Sequence, residues 1–520
     1  MSSVLTSPST RIAPERGDRR RLGFPWLLPL LGVGALLTSC ILWSLRKPMW
    51  GDEVFTWTEL QDPSFLHLFR AVPRLGGGGM PLFYLTAWPW AHVFGFSDLS
   101  LRLYSSLGVC GALLVLFEAM RRRFSARAAF LGTAFGLGAS LIVLDQNSEA
   151  RGYGLYLLLA ALAIAQVLRV AEIEKPRLQD LALLALAQAG LVLGHTLGLL
   201  YAGLLLMGLV AADLWQGRVR IGVWLACVAG WLALIPWIPA IKASAAVGRP
   251  HSWIAIPTLG DLVSSLSFWL FTGLYWQIPH LPPVVLLAGW LCAVGVVGVI
   301  VLASLQGFGS ASPGTRTAVF VGLALLLGPM IFFVVSHVAT PIFLPRYLLP
   351  SALGVCVLAV VAADRADLGE RAGYAWSLVV LGLPVAAALL AHPVALNVAR
   401  VDQLAAGRRV VCDSLKDFLV MTRYTAHPET PRYPLDAEAA STVPGADTDV
   451  RLMQNYRREG YFSGHLPDPE ELLRQPSFLV LENGDAAWFR LRIENNSQWT
   501  WKTLAQVDGT RRLVEVRRTP

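Results

Sequence analysis

Charge is what this chain has little of. Only 15% of its 520 residues are Asp, Glu, Lys or Arg, where a soluble domain carries about 25%. With 55% hydrophobic residues, 18 Trp and a mean hydropathy of +0.53, the shortfall excludes a purely cytosolic enzyme, a disordered chain and a collagen-like one. It indicates a polytopic membrane protein. Ionisable groups deep in the apolar runs are nearly missing, since Glu118 and Asp213 sit near run ends. An ion-coupled transporter needs charge near the midplane and broken helices, so that class is disfavoured. Paired cysteine motifs are missing too. Cys40, Cys110, Cys227, Cys292 and Cys356 lie in apolar runs and Cys412 is alone in polar sequence. No spacing supports a disulfide framework or a cysteine zinc site. The basic excess, 43 against 35 for a net charge of +8, forms no stripe with interleaved aromatics. Topology explains it better than nucleic acid does.

What is present is a series of apolar runs. A polar, basic segment 1–21 ends in Asp18-Arg19-Arg20-Arg21, and the run 22–45 is long enough to span. It reads as an uncleaved anchor with a cytoplasmic N-terminus. Leu37-Thr38-Ser39-Cys40 imitates a lipoprotein box, but Ile41-Leu42-Trp43 continues the run. Arg121-Arg122-Arg123 and Arg127 mark the next cytoplasmic turn. One of the runs 22–45, 80–96 and 101–120 therefore cannot cross. The middle one, with Pro81, Pro89 and His92, suits the interface, so 46–100 is one large external loop. Spans follow near 101–120, 127–145, 153–171, 179–198, 199–215 and 220–240. A second external loop covers 241–281, with a juxtamembrane helix at 262–276. Further spans lie near 282–304, 316–336, 347–363 and 374–392. The sequence thus predicts a polytopic α-helical membrane protein of about eleven transmembrane helices. Its membrane domain is 22–392, and 393–520 is a small α+β external C-terminal domain. In that tail, strands are expected at Val410–Val411, Ser477–Leu481, Trp488–Ile493 and Leu513–Val516. Helices are expected at Asp413–Tyr424 and Val450–Tyr461, separated by a proline-rich loop.

Charges gather at the external span ends. Trp50-Gly51-Asp52-Glu53 reads as a base or metal ligand, though composition alone slightly favours a solvated loop start. Asp145-Gln146-Asn147-Ser148-Glu149-Ala150-Arg151-Gly152-Tyr153 reads as a cavity lining or as a polar hairpin. Arg346 in Pro345-Arg346-Tyr347-Leu348-Leu349-Pro350 has a planar fork suited to phosphate, and snorkelling to headgroups explains it as well. Arg46, Lys47, Lys242 and Arg249 carry the same ambiguity. His195, His251, His280 and His337 permit a metal site, but no ligand spacing demands one. Trp253, Tyr275 and Trp276 read as membrane-belt residues before sugar platforms.

Taken together, Gly51-Asp52-Glu53, Met80-Pro81-Leu82-Phe83-Tyr84, Leu101-Arg102-Leu103-Tyr104-Ser105, Ser148–Tyr153 and Arg346–Pro350 resemble the membrane GT-C glycosyltransferases. The branch is that of protein O-mannosyltransferases and lipid A aminoarabinose transferases. The likeness covers roughly residues 20–350 in the expected order. Met80 departs from the second proline common there, and Gly76–Gly79 is unusual. The resemblance implies a GT-C-like fold and an enzyme at a bacterial plasma membrane with its site on the external or periplasmic face. It implies an inverting transfer from a polyprenyl-phosphate sugar to a glycan, lipid or protein acceptor. Asp52 would be the base and Glu53 its support. Arg346, with Arg151, would hold the phosphate. Asp145 or Glu149 would orient the sugar or Arg151, with Tyr153 and Tyr347 in the binding set. A divalent metal is left open. A lipid-linked glycan transporter and a non-catalytic scaffold are the competing classes.

Overall fold

The computed structural model describes residues 26–248, 252, 254–265, 283, 284, 287, 288, 290, 291, 294, 312–366, 370–391, 395–443, 445–483, 488–494 and 496–519. Among these, six helices are long and apolar enough to cross a membrane: Leu27–Ser44, Asp98–Arg121, Tyr153–Glu172, Gly198–Trp215, Ile221–Val247 and Pro313–Val338. The pair Ala126–Gly138 and Leu141–Asn147, bent by 73° at its break, makes up to seven. The protein is an integral membrane protein. Helices occupy every expected span within the described residues, including the shorter Leu178–Gly194, Ser351–Ala366 and Glu370–Leu390. The span expected near 282–304 falls mostly outside the described residues, as does 266–276 of the helix expected at 262–276; Leu259–Ser265 is helical. Residues 81–94 do form a helix, Pro81–Phe94, that is not among the spans.

Glycine sets how closely the central helices approach. A Cβ on Gly154 would lie 1.9 Å from the Ser105 carbonyl oxygen, and one on Gly108 would lie 2.3 Å from the Gly154 carbonyl carbon. The Asp98–Arg121 and Tyr153–Glu172 helices therefore meet backbone to backbone. This contact holds the polar turn 148–152 against the start of the Asp98–Arg121 helix.

The C-terminal part is a small α+β unit. Its strands are β1 (Val410–Cys412), β2 (Pro431–Arg432), β3 (Ser477–Asn483), β4 (Trp499–Gln506) and β5 (Arg511–Arg518), in the order β2-β1-β3-β5-β4. β1 runs parallel to β2 and β3, and β5 runs antiparallel to β3 and β4. Three of the four expected strands are present. The fourth is corrected: Trp488–Glu494 is a helix. Phe489, Leu491 and Ile493 alternate as a strand would, but the side chains buried are Trp488, Phe489 and Ile493, a helical spacing. Both expected helices appear, as Leu415–Tyr424 and Ala446–Arg458.

This unit shares one hydrophobic core with the segment after the first span. Met49, Val54, Leu68 and Tyr84 pack in the same cluster as Val410, Phe418, Met453 and Val480. The segment and the tail therefore lie on the same side of the molecule. Polar ties cross the seam. Buried Glu59 accepts from the Tyr84 hydroxyl at 2.6 Å and from the Tyr456 hydroxyl. Tyr461 donates to Asp62 at 2.8 Å, Arg423 to Asp98 at 2.8 Å, and the Met49 amide to Tyr424 at 2.6 Å. Burial raises the Glu59 pKa and the two tyrosines only partly offset it. Tyr456→Phe leaves one oxygen of a buried carboxyl short of a donor, which costs roughly 1–3 kcal/mol. Hydrogen exchange of the tail's amides should then speed up while the membrane helices keep their protection. Unchanged exchange in the tail would contradict this reading of the seam.

Candidate active site

Beyond the first span the chain runs through Lys47 and Trp50 into the Gly51–Leu60 helix. Trp50 is extended, and Glu53 accepts from its amide at 3.3 Å. This closure fixes the first turn, and two acids there suit the helix's positive end.

The adjacent acids have different fates. Glu53 is fully buried and takes the Arg102 guanidinium in a fork at 2.7 and 2.8 Å. It also accepts from the Ala150 amide at 2.7 Å, and Arg102 donates to the Lys47 carbonyl at 2.6 Å. Three separate sequence motifs thus meet on one carboxylate. Removing one partner of such a buried pair costs about 3–5 kcal/mol. Both Glu53 oxygens are committed to this network, so Glu53 holds the turn that presents Asp52.

Asp52 keeps 28% of its side chain exposed, and its Oδ2 lies 3.3 Å from Nη2 of the buried Arg346. The short turn Pro345–Leu348 places Arg346 beside the rings of Trp50 and Tyr347, each 5.6 Å from the guanidinium carbon. Aromatic faces favour a cation at that range. Arg151 donates to the Asp52 carbonyl at 3.0 Å and to the Thr56 hydroxyl at 3.1 Å. Asp52 and Arg346, far apart in the chain, are therefore neighbours, with Arg151 behind the same turn.

Lys47 supplies a further cation. Its Nζ is 3.6 Å from Glu149 and 3.9 Å from Asp145. These two acids thus gather around Lys47, while Arg151 is tied to the Asp52 turn. Burial, then Asp145, pushes the Glu149 pKa up. Burial alone would lower the Lys47 pKa, but Glu149 and Asp145 outweigh it and the net shift is upward. The two acids thus favour a charged lysine. Tyr153, Tyr156 and Tyr347 surround His195, with ring centroids 5.5, 4.5 and 5.6 Å away.

Other expected candidates lie elsewhere. Arg46 donates to the Ala388, Leu389 and Ala391 carbonyls at 2.6 to 2.8 Å, closing the end of the Glu370–Leu390 helix. His337 is exposed on its own helix, and Lys242 is exposed. His251, His280, Arg249, Trp253, Tyr275 and Trp276 lie outside the described residues. Among the described residues no three His, Cys, Asp or Glu side chains converge as a metal would need.

Sequence reasoning placed no function on the tail, yet the tail reaches the site. A Cβ on Gly51 would sit 3.4 Å from Leu419 Cδ1 and 3.7 Å from Lys416 Cα. Asp449 stands within electrostatic reach of both Lys416 and Asp52. Burial mainly, with Asp52 and Asp447, pushes its pKa up to about 6 despite Lys416. No local pattern marks Lys416 or Asp449, because only the docking of the tail brings them here.

No protein-family model matches the chain, and no curated relative does. Among solved structures it is similar to ArnT from Cupriavidus metallidurans. In the apo state the identity is 13%, the TM-score 0.45, and the match covers 94% of this chain and 97% of that one. The structure described as bound to undecaprenyl phosphate gives 14% identity and a TM-score of 0.45, covering 95% and 98%.

The Asp449 shift makes a prediction with a definite sign. An acid whose pKa rises on folding favours the folded state below its unfolded pKa of about 4. That contribution is lost as pH climbs to about 6. Asp449→Asn should therefore be stabilising at pH 7.5 by roughly 1–2 kcal/mol, after discounting for the solvent that Asp449 still meets, and neutral at pH 4. Thermal unfolding at both pH values checks this, and equal effects at both would contradict it.

Proposed function

We propose that the protein transfers a sugar from a polyprenyl-phosphate carrier to an acceptor hydroxyl. The observation that carries this reading is the pairing of Asp52, partly open to solvent, with the buried Arg346 at 3.3 Å. A lipid phosphate sits at headgroup depth with its tail in the bilayer. An enzyme for it needs fixed cations and a carboxylate at the end of apolar helices. Arg346, with Arg151 second, binds the phosphate and meets the charge that grows as the sugar leaves. Asp52 takes the proton of the acceptor hydroxyl. The acceptor oxygen bonds to the anomeric carbon on the side opposite the phosphate. The carbon–oxygen bond to phosphate breaks, its electron pair stays on the phosphate oxygen, and the anomeric centre inverts. Asp145 and Glu149, held by Lys47, orient the sugar. Tyr153 and Tyr347 flank it, and Glu53 keeps the Asp52 turn in place. The motif resemblance to GT-C glycosyltransferases agrees with this chemistry and with a site on the external face of a bacterial plasma membrane.

The test is purified protein with a panel of radiolabelled prenyl-phosphate sugars and candidate acceptors. One carrier should release its sugar. Asp52→Asn and Arg346→Ala should each lower the rate by about 10²–10³, by analogy with loss of a preorganised charge partner. No release from any carrier by folded protein, or release indifferent to both variants, would refute the proposal.

A further inference from the structure

A cavity of about 540 Å³ opens where the tail meets the membrane helices. Arg74, Arg451, Arg458 and Glu459 line one side, and Ala243 and Val247 line the other. Its frame is tied together at Gly76, whose φ of +83° takes the chain sharply past the end of the Phe65–Leu75 helix. There Ser244 donates to the Gly76 carbonyl at 3.0 Å, and Asn455 donates to the Leu75 carbonyl at 3.2 Å. The cavity is thus bounded by three cross-linked elements.

Its charge is unbalanced. Arg74 pairs with Glu459 at 3.2 Å, and Arg451 pairs with the buried Asp447 behind it. The exposed Arg458 donates to the Asn455 side-chain oxygen at 3.4 Å, a neutral acceptor. Arg74 and Arg451 are thus each paired with a carboxylate, and Arg458 supplies an excess of one cation at the cavity. Its other wall is the last turns of the stretch Ile221–Val247, which is long and apolar enough to cross a membrane. Forked guanidinium groups recognise phosphate, and a small apolar wall recognises the chain attached to it.

We propose that this cavity binds the phosphate monoester of an anionic amphiphile, at a site separate from the Asp52–Arg346 pair. The source is the membrane, because Ala243, Ala246 and Val247 form an apolar wall that continues the Ile221–Val247 stretch.

The test uses the full chain in zwitterionic nanodiscs, with dihexanoyl phosphatidic acid and inorganic phosphate as the two probes. Phosphatidic acid should bind the native protein, and inorganic phosphate should bind it more weakly. Arg74→Gln with Arg458→Gln should weaken phosphatidic acid about tenfold or more. Arg458→Glu, a change at an exposed position, should do the same with an unchanged melting temperature. No phosphatidic acid binding, or binding indifferent to these variants, would overturn the site. Inorganic phosphate bound as tightly as phosphatidic acid would overturn its assignment to a lipid. None of these residues belongs to the Asp52 site, so failure here leaves the transfer reading standing.

Discussion

Glu53 and Arg102 are both removed from water, and the segments that carry Lys47, Asp52 and Ala150 are positioned through them. A lone charge at that depth would be costly, and the fork between the two offsets the penalty. The pair does more than neutralise itself. Glu53 closes the first turn of the Gly51–Leu60 helix and takes the Ala150 amide. Arg102 clamps the Lys47 carbonyl. The extended approach, the helix start and the polar turn before the Tyr153–Glu172 helix are thereby locked to one another. Asp52 is left on the rim of that lock, facing Arg346.

The close approach at Gly108 and Gly154 serves the same end. Backbone contact between two long helices brings the 148–152 turn near enough for Ala150 to reach Glu53. On the opposite flank the tail is fastened by Glu59, Asp62 and Asp98, carboxylates that each gather tyrosine or arginine donors from it. The tail is thus a wall of the site as well as an appendage. Lys416 and Asp449 are its contribution to the charge around Asp52.

Much of this was legible in the sequence because hydropathy and local spacing encode it. The apolar runs marked the helices, and the change of composition near residue 393 marked the soluble part. Acidic and basic motifs at span ends marked Asp52, Arg151 and Arg346. Pairings that depend on packing were not legible. Nothing local says that Glu53 belongs to Arg102 and not to Asp52, or that Lys47 lies between Asp145 and Glu149. The Trp488–Glu494 helix misled for a related reason. Its arginines alternate with apolar residues, yet they are drawn into ion pairs with Glu482, Glu494, Asp436 and Glu470 on a helical surface. The 73° break between Ala126–Gly138 and Leu141–Asn147 likewise lies inside a run that hydropathy alone reads as continuous.

Asp52 and Arg346 are proposed to work as one unit, and a double-mutant cycle on sugar transfer tests that most directly. Residues acting as a unit are strongly non-additive. The variant carrying both Asp52→Asn and Arg346→Ala should be no slower than the worse of the two single variants. Losses that multiply, as for independent sites, would contradict the central claim.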